Sequence, residues 1–341
     1  MKLSASDNMV KGKSYAKQNA KKSTSLWISL ALVIIILLIY QIRAGTMLNE
    51  FQIQTLINGG LALSLASIGL AMIIISGGFD ASVGSIITVI NVIAATTMTD
   101  QVPKDVAICF GLIILGTFIG AINGFLIAYA GIQSIIATLA TNFVWFGVSL
   151  LLLKEPGGFI PHWFNVLLQG SYIKNIPNSA VWLLLLILAI TFFRRTKFHR
   201  SIYAIGSDAE AALRNGIDVK LTRLKVYASA GFLYALSGLF LSAQTTSGDP
   251  NIGAAFMLLG FSAVVIGGTP FGGGRGSLYS GITGAYILRL LDSVLISIGI
   301  TSYFNDIVQG SLLFITVALG SLLSNMKPKS RKADHKISGT R

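Results

Sequence analysis

Long apolar stretches recur along the chain at close to membrane-spanning length, separated by short clusters of Gly, Pro and charged residues. A window reading places ten, at about residues 26–42, 51–76, 83–98, 106–130, 132–153, 179–193, 222–245, 252–268, 278–299 and 304–324. Roughly 18–20 apolar residues are needed to cross the hydrocarbon core. The second segment makes ~39 Å of helix at ~1.5 Å per residue and crosses with tilt to spare. The third and eighth have 16 and 17 residues and are flanked by glycine, which suits broken or re-entrant helices. The pattern therefore predicts an all-α, polytopic membrane protein of about ten transmembrane helices, some short or broken.

Composition supports this. Of 341 residues, 53% are apolar or aromatic and only 11% are charged, against about a quarter in soluble domains. Mean hydropathy is +0.73. A soluble single-domain enzyme is excluded. Residues 1–25 form a polar tail with six lysines and Asp7 as its only acid, a composition that reads as disordered. The run that follows resembles a secretory leader, but Arg43-Ala44-Gly45-Thr46-Met47 offers no clear small-x-small cleavage site, so 26–42 is expected to be a membrane helix. Residues 26–324 then form one transmembrane domain, and 325–341 a second basic tail.

Charge sets the expected orientation. Lys plus Arg outnumber Asp plus Glu by 26 to 13. With both termini cytoplasmic, 21 of the 26 basic residues fall in inside regions, as the positive-inside rule requires. Dropping the third segment would turn 194–225, with its eight basic residues, outward. The positive excess therefore reflects basic cytoplasmic loops and membrane lipid, and no nucleic-acid partner is expected. Trp163 in the longest outside loop and Trp182 just beyond it fit an interfacial belt. Cys109 stands alone and His162, His199 and His335 are scattered, so neither a disulfide framework nor a metal site is expected.

No catalytic residues and no cofactor are predicted. The chain lacks a His-Glu-x-x-His, a Gly-x-Ser-x-Gly and any carboxylate pair with a plausible partner. The loop Gly272-Gly273-Gly274-Arg275-Gly276-Ser277 lacks the Lys followed by Ser or Thr that a phosphate loop needs, and it links two membrane segments. The most informative polar stretch is the cytoplasmic loop 194–225. Within it, Ser207-Asp208-Ala209-Glu210 has capping-box spacing, Ala211, Ala212 and Leu213 favour helix, and Asn215-Gly216 supplies a stop. A helix of about eight residues is expected there, either a solvated loop helix or a surface for a soluble motor protein to grip. In Gly77-Gly78-Phe79-Asp80-Ala81-Ser82-Val83-Gly84-Ser85, Asp80 or Ser82 is positioned to cap the third helix, to face substrate, or both. Arg289 and Asp292 lie three apart on the ninth segment, as an internal salt bridge or a pore-lining polar site. The echo of Gly77-Gly78 at Gly267-Gly268 hints weakly at a repeat.

These stretches resemble the membrane permeases of the ribose-type branch of bacterial ABC importers. The carrying residues are Gly77 to Ser85 (the family's GGIDLSVGS), Tyr203 to Ile217 (AIGGNxEAARxSGI), and Ala263-Val264-Val265-Ile266-Gly267-Gly268 with Gly273-Gly274-Arg275-Gly276-Ser277 (AVVIGG…GGRGS). Gly248-Asp249-Pro250-Asn251-Ile252-Gly253 is also familiar in that family. The likeness runs from about residue 50 to 320. It implies a multi-pass permease of the bacterial inner membrane with no ATPase of its own, moving a monosaccharide or related polyol. Two such subunits, identical or a sister pair, would sit on ABC ATPase subunits and receive sugar from a periplasmic binding protein. Residues Ser207, Asp208, Glu210, Ala211, Ala212, Arg214 and Gly216 become the coupling helix; Asp80, Ser82, Arg289 and Asp292 are candidates for the translocation pathway; and Gly267, Gly268, Gly273, Gly274, Arg275 and Gly276 form a cytoplasmic glycine loop.

The chain also departs from the pattern. Met257 and Leu259 stand where the family often has Glu and Asp, Arg289 and Asp292 where it usually has small or amide residues, and Phe79 and Ala81 replace Ile and Leu. The usual pentose or hexose therefore does not follow. The competing reading is a secondary transporter coupled to H⁺ or Na⁺, with Asp292 as the ion-binding acid. The capped cytoplasmic helix speaks against it.

Overall fold

The computed structural model describes residues 29–42, 50–172 and 176–299, with four further positions between 307 and 314. Both basic tails and almost all of the tenth expected segment lie outside the described residues. Within them the chain is helical: α1 (Ser29–Ile42), α2 (Glu50–Ile75), α3 (Val83–Thr97), α4 (Val102–Ala128), α5 (Ser134–Leu152), α6 (His162–Gln169), α7 (Asn178–Phe193), α8 (Lys197–Ser207), α9 (Ala209–Arg214), α10 (Val219–Thr245), α11 (Phe256–Ile266) and α12 (Tyr279–Ser297). Gly157 and Gly248 pair as an isolated antiparallel bridge of extended backbone.

Four helices, α2, α4, α5 and α10, are long and apolar enough to cross a membrane, and a fifth span results if α7 and α8, bent by 73°, count together. The protein is thus a helical, multi-spanning membrane protein. α2 and α10 form its centre, with 83% and 72% of their spanning windows buried, whereas α4 and α5 are mostly exposed. Their outer faces carry Phe110, Ile114, Phe118, Phe143 and Leu151, the apolar surface that lipid demands. Polar side chains collect inside instead: Ser64, Ser67, Asn91, Asn123, Thr138, Ser237 and Ser242 are all fully buried.

Close helix packing is built on small residues. Gly116, Gly120 and Gly124 recur every four residues on α4, and each faces the α10 backbone around Leu224, Tyr227 and Gly231. A Cβ on Gly231 would stand 3.0 Å from the Gly120 Cα. With no water to drive apolar burial, such close approach is what holds membrane helices together.

α3 and α11 are short, as their segments suggested. Their 15 and 11 residues make ~22 and ~16 Å of helix, less than the ~30 Å core. α3 is sheathed by protein, with every residue from Val83 to Val92 buried. α2 stops where Gly77 takes φ +82°, its amide and that of Gly78 bonding the Ile74 and Ile73 carbonyls in a Schellman-like end. Gly268 (φ +99°) follows α11 in the same way.

Two helices lay outside the sequence reading. α6 occupies the long loop 154–179, and α8 precedes the expected cytoplasmic helix. α8 starts at Thr196, whose hydroxyl accepts from the His199 amide at 3.1 Å. It buries His199, Ile202 and Ile205 and leaves Lys197 and Arg200 in the open. Trp163 and Trp182 both pack inward. Their indole N–H groups donate to the Asp105 carboxylate (3.4 Å) and the Leu167 carbonyl (3.3 Å).

Candidate functional site

The expected cytoplasmic helix is α9, six residues long rather than about eight. Its cap is Asp208, not Ser207: an Asp208 carboxylate oxygen accepts from the Ala211 amide at 2.9 Å. Ser207 is the last residue of α8 and lies before the cap of α9. Glu210 does not reach back in a capping box; it pairs with Arg214 one turn on, at 3.1 Å and in full solvent. An exposed pair of this kind contributes only ~0.3–0.5 kcal/mol. The C-terminal stop is as read. The Asn215 side chain bonds the Ala211 carbonyl at 2.7 Å, Gly216 takes φ +79°, and the Ile217 amide returns to the Ala212 carbonyl. Only Ala212 of this helix is buried. The remainder is an exposed, small-residue knob.

The knob is anchored by glycine. At the end of α8, Gly206 lies directly on the α2 terminus: a Cβ there would overlap the Ile75 carbonyl and stand 2.7 Å from the Gly274 amide. That amide donates to the same Ile75 carbonyl at 2.8 Å. Gly273 completes the contact, its Cβ position lying 2.5 Å from the Gly206 carbonyl and 3.0 Å from the Gly77 Cα. Three stretches far apart in sequence thus meet backbone to backbone: the end of α2, the end of α8 and the glycine loop. Gly272, Gly273, Gly274 and Gly276 all have φ between +65° and +113°, conformations that only glycine adopts without strain. Thr269 closes the loop by accepting the Ser277 amide at 3.0 Å, and Tyr203 of α8 donates to the Gly276 carbonyl at 3.0 Å. Arg275 projects into the open, while Gly267 is buried against the Ser280 carbonyl.

Immediately beyond this junction lies a buried polar network. One carboxylate oxygen of Asp80 accepts from the Ser82 amide (2.8 Å) and hydroxyl (2.6 Å). Asn123 of α4 donates to the Ser82 hydroxyl at 2.8 Å, and Thr141 of α5 donates to Asn123 at 2.7 Å. Thr138 accepts the Ala81 amide, and Tyr227 of α10 donates to the Phe79 carbonyl at 2.9 Å. Phe79 stacks on Phe261 of α11 at 4.4 Å. Ser82 occupies the position before α3, but its hydroxyl is spent on Asp80 and makes no cap; Asp80 closes a turn on Ser82 instead of capping the helix. Asp80 and Ser82 are sealed, 1% and 0% exposed.

Farther along α3, Asn91 grips the loop after α10. It donates to the Ser242 hydroxyl (2.9 Å) and the Ser247 carbonyl (3.1 Å) and accepts the Asp249 amide (2.8 Å). Thr88 accepts the Gly253 amide at 3.1 Å. Asn91 escaped the sequence reading because an isolated amide in an apolar run has no spacing to betray it.

Arg289 and Asp292 are both half-buried on α12. They do not pair with each other, one of the two readings that their spacing allowed; Glu210–Arg214 is the one ion pair among the described residues. Sharing a face at i, i+3 permits pairing, but here the Arg289 guanidinium lies over Gly59 of α2. The described residues contain no group of three His, Cys, Asp or Glu side chains able to hold a metal.

Residues 52–317 match the family model described as the branched-chain amino acid transport system permease component. The ribose import permease protein of Bacillus subtilis is 32% identical, the match covering 84% of this chain and 89% of that protein. The galactose/methyl galactoside import permease protein of Salmonella typhimurium is 28% identical over 89% and 97% of the two chains. A probable ABC transporter permease protein of Sinorhizobium fredii is 31% identical over 87% and 89%. No solved structure matches the chain.

Proposed function

The chain belongs to this permease-component family, and we propose that it is the membrane-spanning subunit of a bacterial ABC importer for a monosaccharide or related polyol. The single observation that carries the reading is α9, an exposed helix locked through Gly206, Gly273 and Gly274 to the end of the most central span. A solvated loop helix needs no such anchor. A helix that must transmit force does, because backbone contacts without intervening side chains leave little slack. Sugar-import permeases among its relatives favour this reading over the ion-coupled alternative.

In this reading a separate ABC ATPase subunit grips Asp208, Glu210, Ala211, Arg214 and Gly216, while Ser207, Ala212 and the loop from Gly267 to Gly276 form the seat behind them. A periplasmic sugar-binding protein delivers substrate at the other face, and a second permease copy or sister permease completes the path. The protein sits in the bacterial cytoplasmic membrane as one domain of about ten helices, both basic tails inside. Asp80, Ser82, Arg289 and Asp292 are assigned to the translocation pathway and its gate. ATP hydrolysis belongs to the partner subunit.

Replacing Glu210 with Lys tests the docking role. The change removes a solvent-exposed pair worth a few tenths of a kcal/mol, so folding and insertion stay normal. It also places a like charge on the surface that meets the ATPase. Sugar uptake and recovery of the ATPase in a pull-down should fall together. Full uptake with undiminished ATPase binding would overturn the assignment.

A further inference from the structure

We propose that the substrate carried past α12 bears an anionic group, a carboxylate or phosphate on the sugar, and that Arg289 is the residue that selects it. The proposal rests on the assignment of Arg289 to the translocation pathway. Three observations point to it. First, Arg289 lies within the length of a spanning helix: it rests on Gly59, the ninth residue of the 25-residue span Phe51–Ile75, ~12 Å from that span's nearer end. Second, it makes no ion pair among the described residues. No carboxylate there lies within ion-pair distance, and the buried Nε has no hydrogen-bond partner. Third, the place is built to hold it. Gly59 and Gly60 leave a bare stretch of α2 backbone; a Cβ on Gly59 would overlap the Arg289 guanidinium and one on Gly60 would meet the Tyr286 ring at 2.5 Å. Tyr286 is pinned beside it by a 3.0 Å bond to the Ile57 carbonyl.

An arginine at membrane depth with no ion pair among the described residues is costly, and intramembrane arginines face the bundle interior or a water-filled cavity and mark substrate pathways. A neutral sugar offers only dipoles. A carboxylate or phosphate offers two oxygens to the planar guanidinium fork, which matches them better than any other side chain does. Arg289 therefore supplies the counter-charge that lowers the cost of moving an anion through this level of the membrane.

Ser293 provides the test. It lies one turn beyond Arg289, half-buried, its hydroxyl donating to the Arg289 carbonyl at 3.0 Å. Ser293→Cys is introduced into the full chain in a Cys109→Ala background and expressed in bacterial membranes. Two methanethiosulfonates are applied, one with a sulfonate and one with a trimethylammonium, their rates normalised to reaction with a free thiol. The anionic reagent should be favoured by at least about tenfold, the effect of a unit charge some 6 Å away on reagents of opposite sign in water. Arg289→Gln should bring the ratio close to one and Arg289→Lys should preserve it. Millimolar D-galacturonate should protect the thiol where D-galactose at the same concentration does not. Equal protection by both sugars, or a ratio at or below one in the parent chain because Asp292 dominates the local field, would overturn the substrate class. Failure of both reagents at position 293, with Asn215→Cys reacting freely, would instead remove Arg289 from the pathway.

Discussion

Gly206→Val is the sharpest perturbation of the junction between α8, α2 and the glycine loop. Glycine is required at 206 because any Cβ overlaps the Ile75 carbonyl and crowds the Gly274 amide. Neither neighbour is the far end of a flexible side chain, so the backbones must separate. Overpacking at a rigid contact costs about 1–3 kcal/mol and loss of the Gly274–Ile75 bond about 1 kcal/mol more, ~2–4 kcal/mol in all. Against the ~5–15 kcal/mol that holds a typical domain, the fold survives and the strain is relieved locally, by detachment of α8 and α9 from the end of α2. The variant should reach the membrane at close to parental levels. Sugar uptake should fall by at least tenfold, while the ATPase still binds through the unchanged surface of α9. Gly147→Ala in α5 is the control, since nothing lies within 4 Å of its Cβ position and the exchange is worth about 0.5–1 kcal/mol in the helix's favour. The reasoning fails if Gly206→Val transports at the parental rate, or if ATPase binding disappears with uptake.

Two further substitutions separate observed geometry from sequence expectation. Asp208→Ala should cost about 0.5–2 kcal/mol and speed hydrogen exchange of the Ala211 amide, while Ser207→Ala leaves that exchange unchanged; the reverse would restore Ser207 as the cap. Asn123→Ala leaves the Thr141 hydroxyl only its longer bond to the Thr138 carbonyl and removes the donor to Ser82, so the detergent-solubilised protein should lose about 1–3 kcal/mol, read as a lower midpoint of thermal unfolding; an unchanged midpoint would mean water already serves those groups.

Most of the helical layout was legible because apolar length is a direct physical requirement of the bilayer. The boundaries of α2, α3, α5, α7 and α12 lie within about two residues of the hydropathy windows, inside the usual disagreement between assignment methods. α8 was missed for a related reason: it follows α7 after a break of three residues and is amphipathic rather than apolar, so it vanished into a loop defined by its charges. Its spacing of Phe198, Ile202 and Ile205 held the signal. The rise every four residues of Gly116, Gly120 and Gly124 was likewise present in the sequence and announces the α4–α10 contact.

The candidate site was legible in a different way. Ser207 and Asp208 are both competent caps, and nothing in the local string says which one begins the helix. The answer comes from Gly206, whose contact with Ile75 holds the end of α8 in place and so leaves Asp208 as the first residue free to turn. The same contact explains why three glycine-bearing stretches, far apart in sequence, belong to one device. Each supplies a bare backbone surface to the other two, and a side chain on any of the facing positions would hold the remaining pair apart. Glycine content alone could not reveal this, because glycine is common throughout a membrane chain, and a turn, a packing seat and a junction look identical in sequence. Only the convergence of Ile75, Gly206 and Gly274 on one carbonyl distinguishes a link able to carry motion from α9 into α2 from a set of unrelated turns.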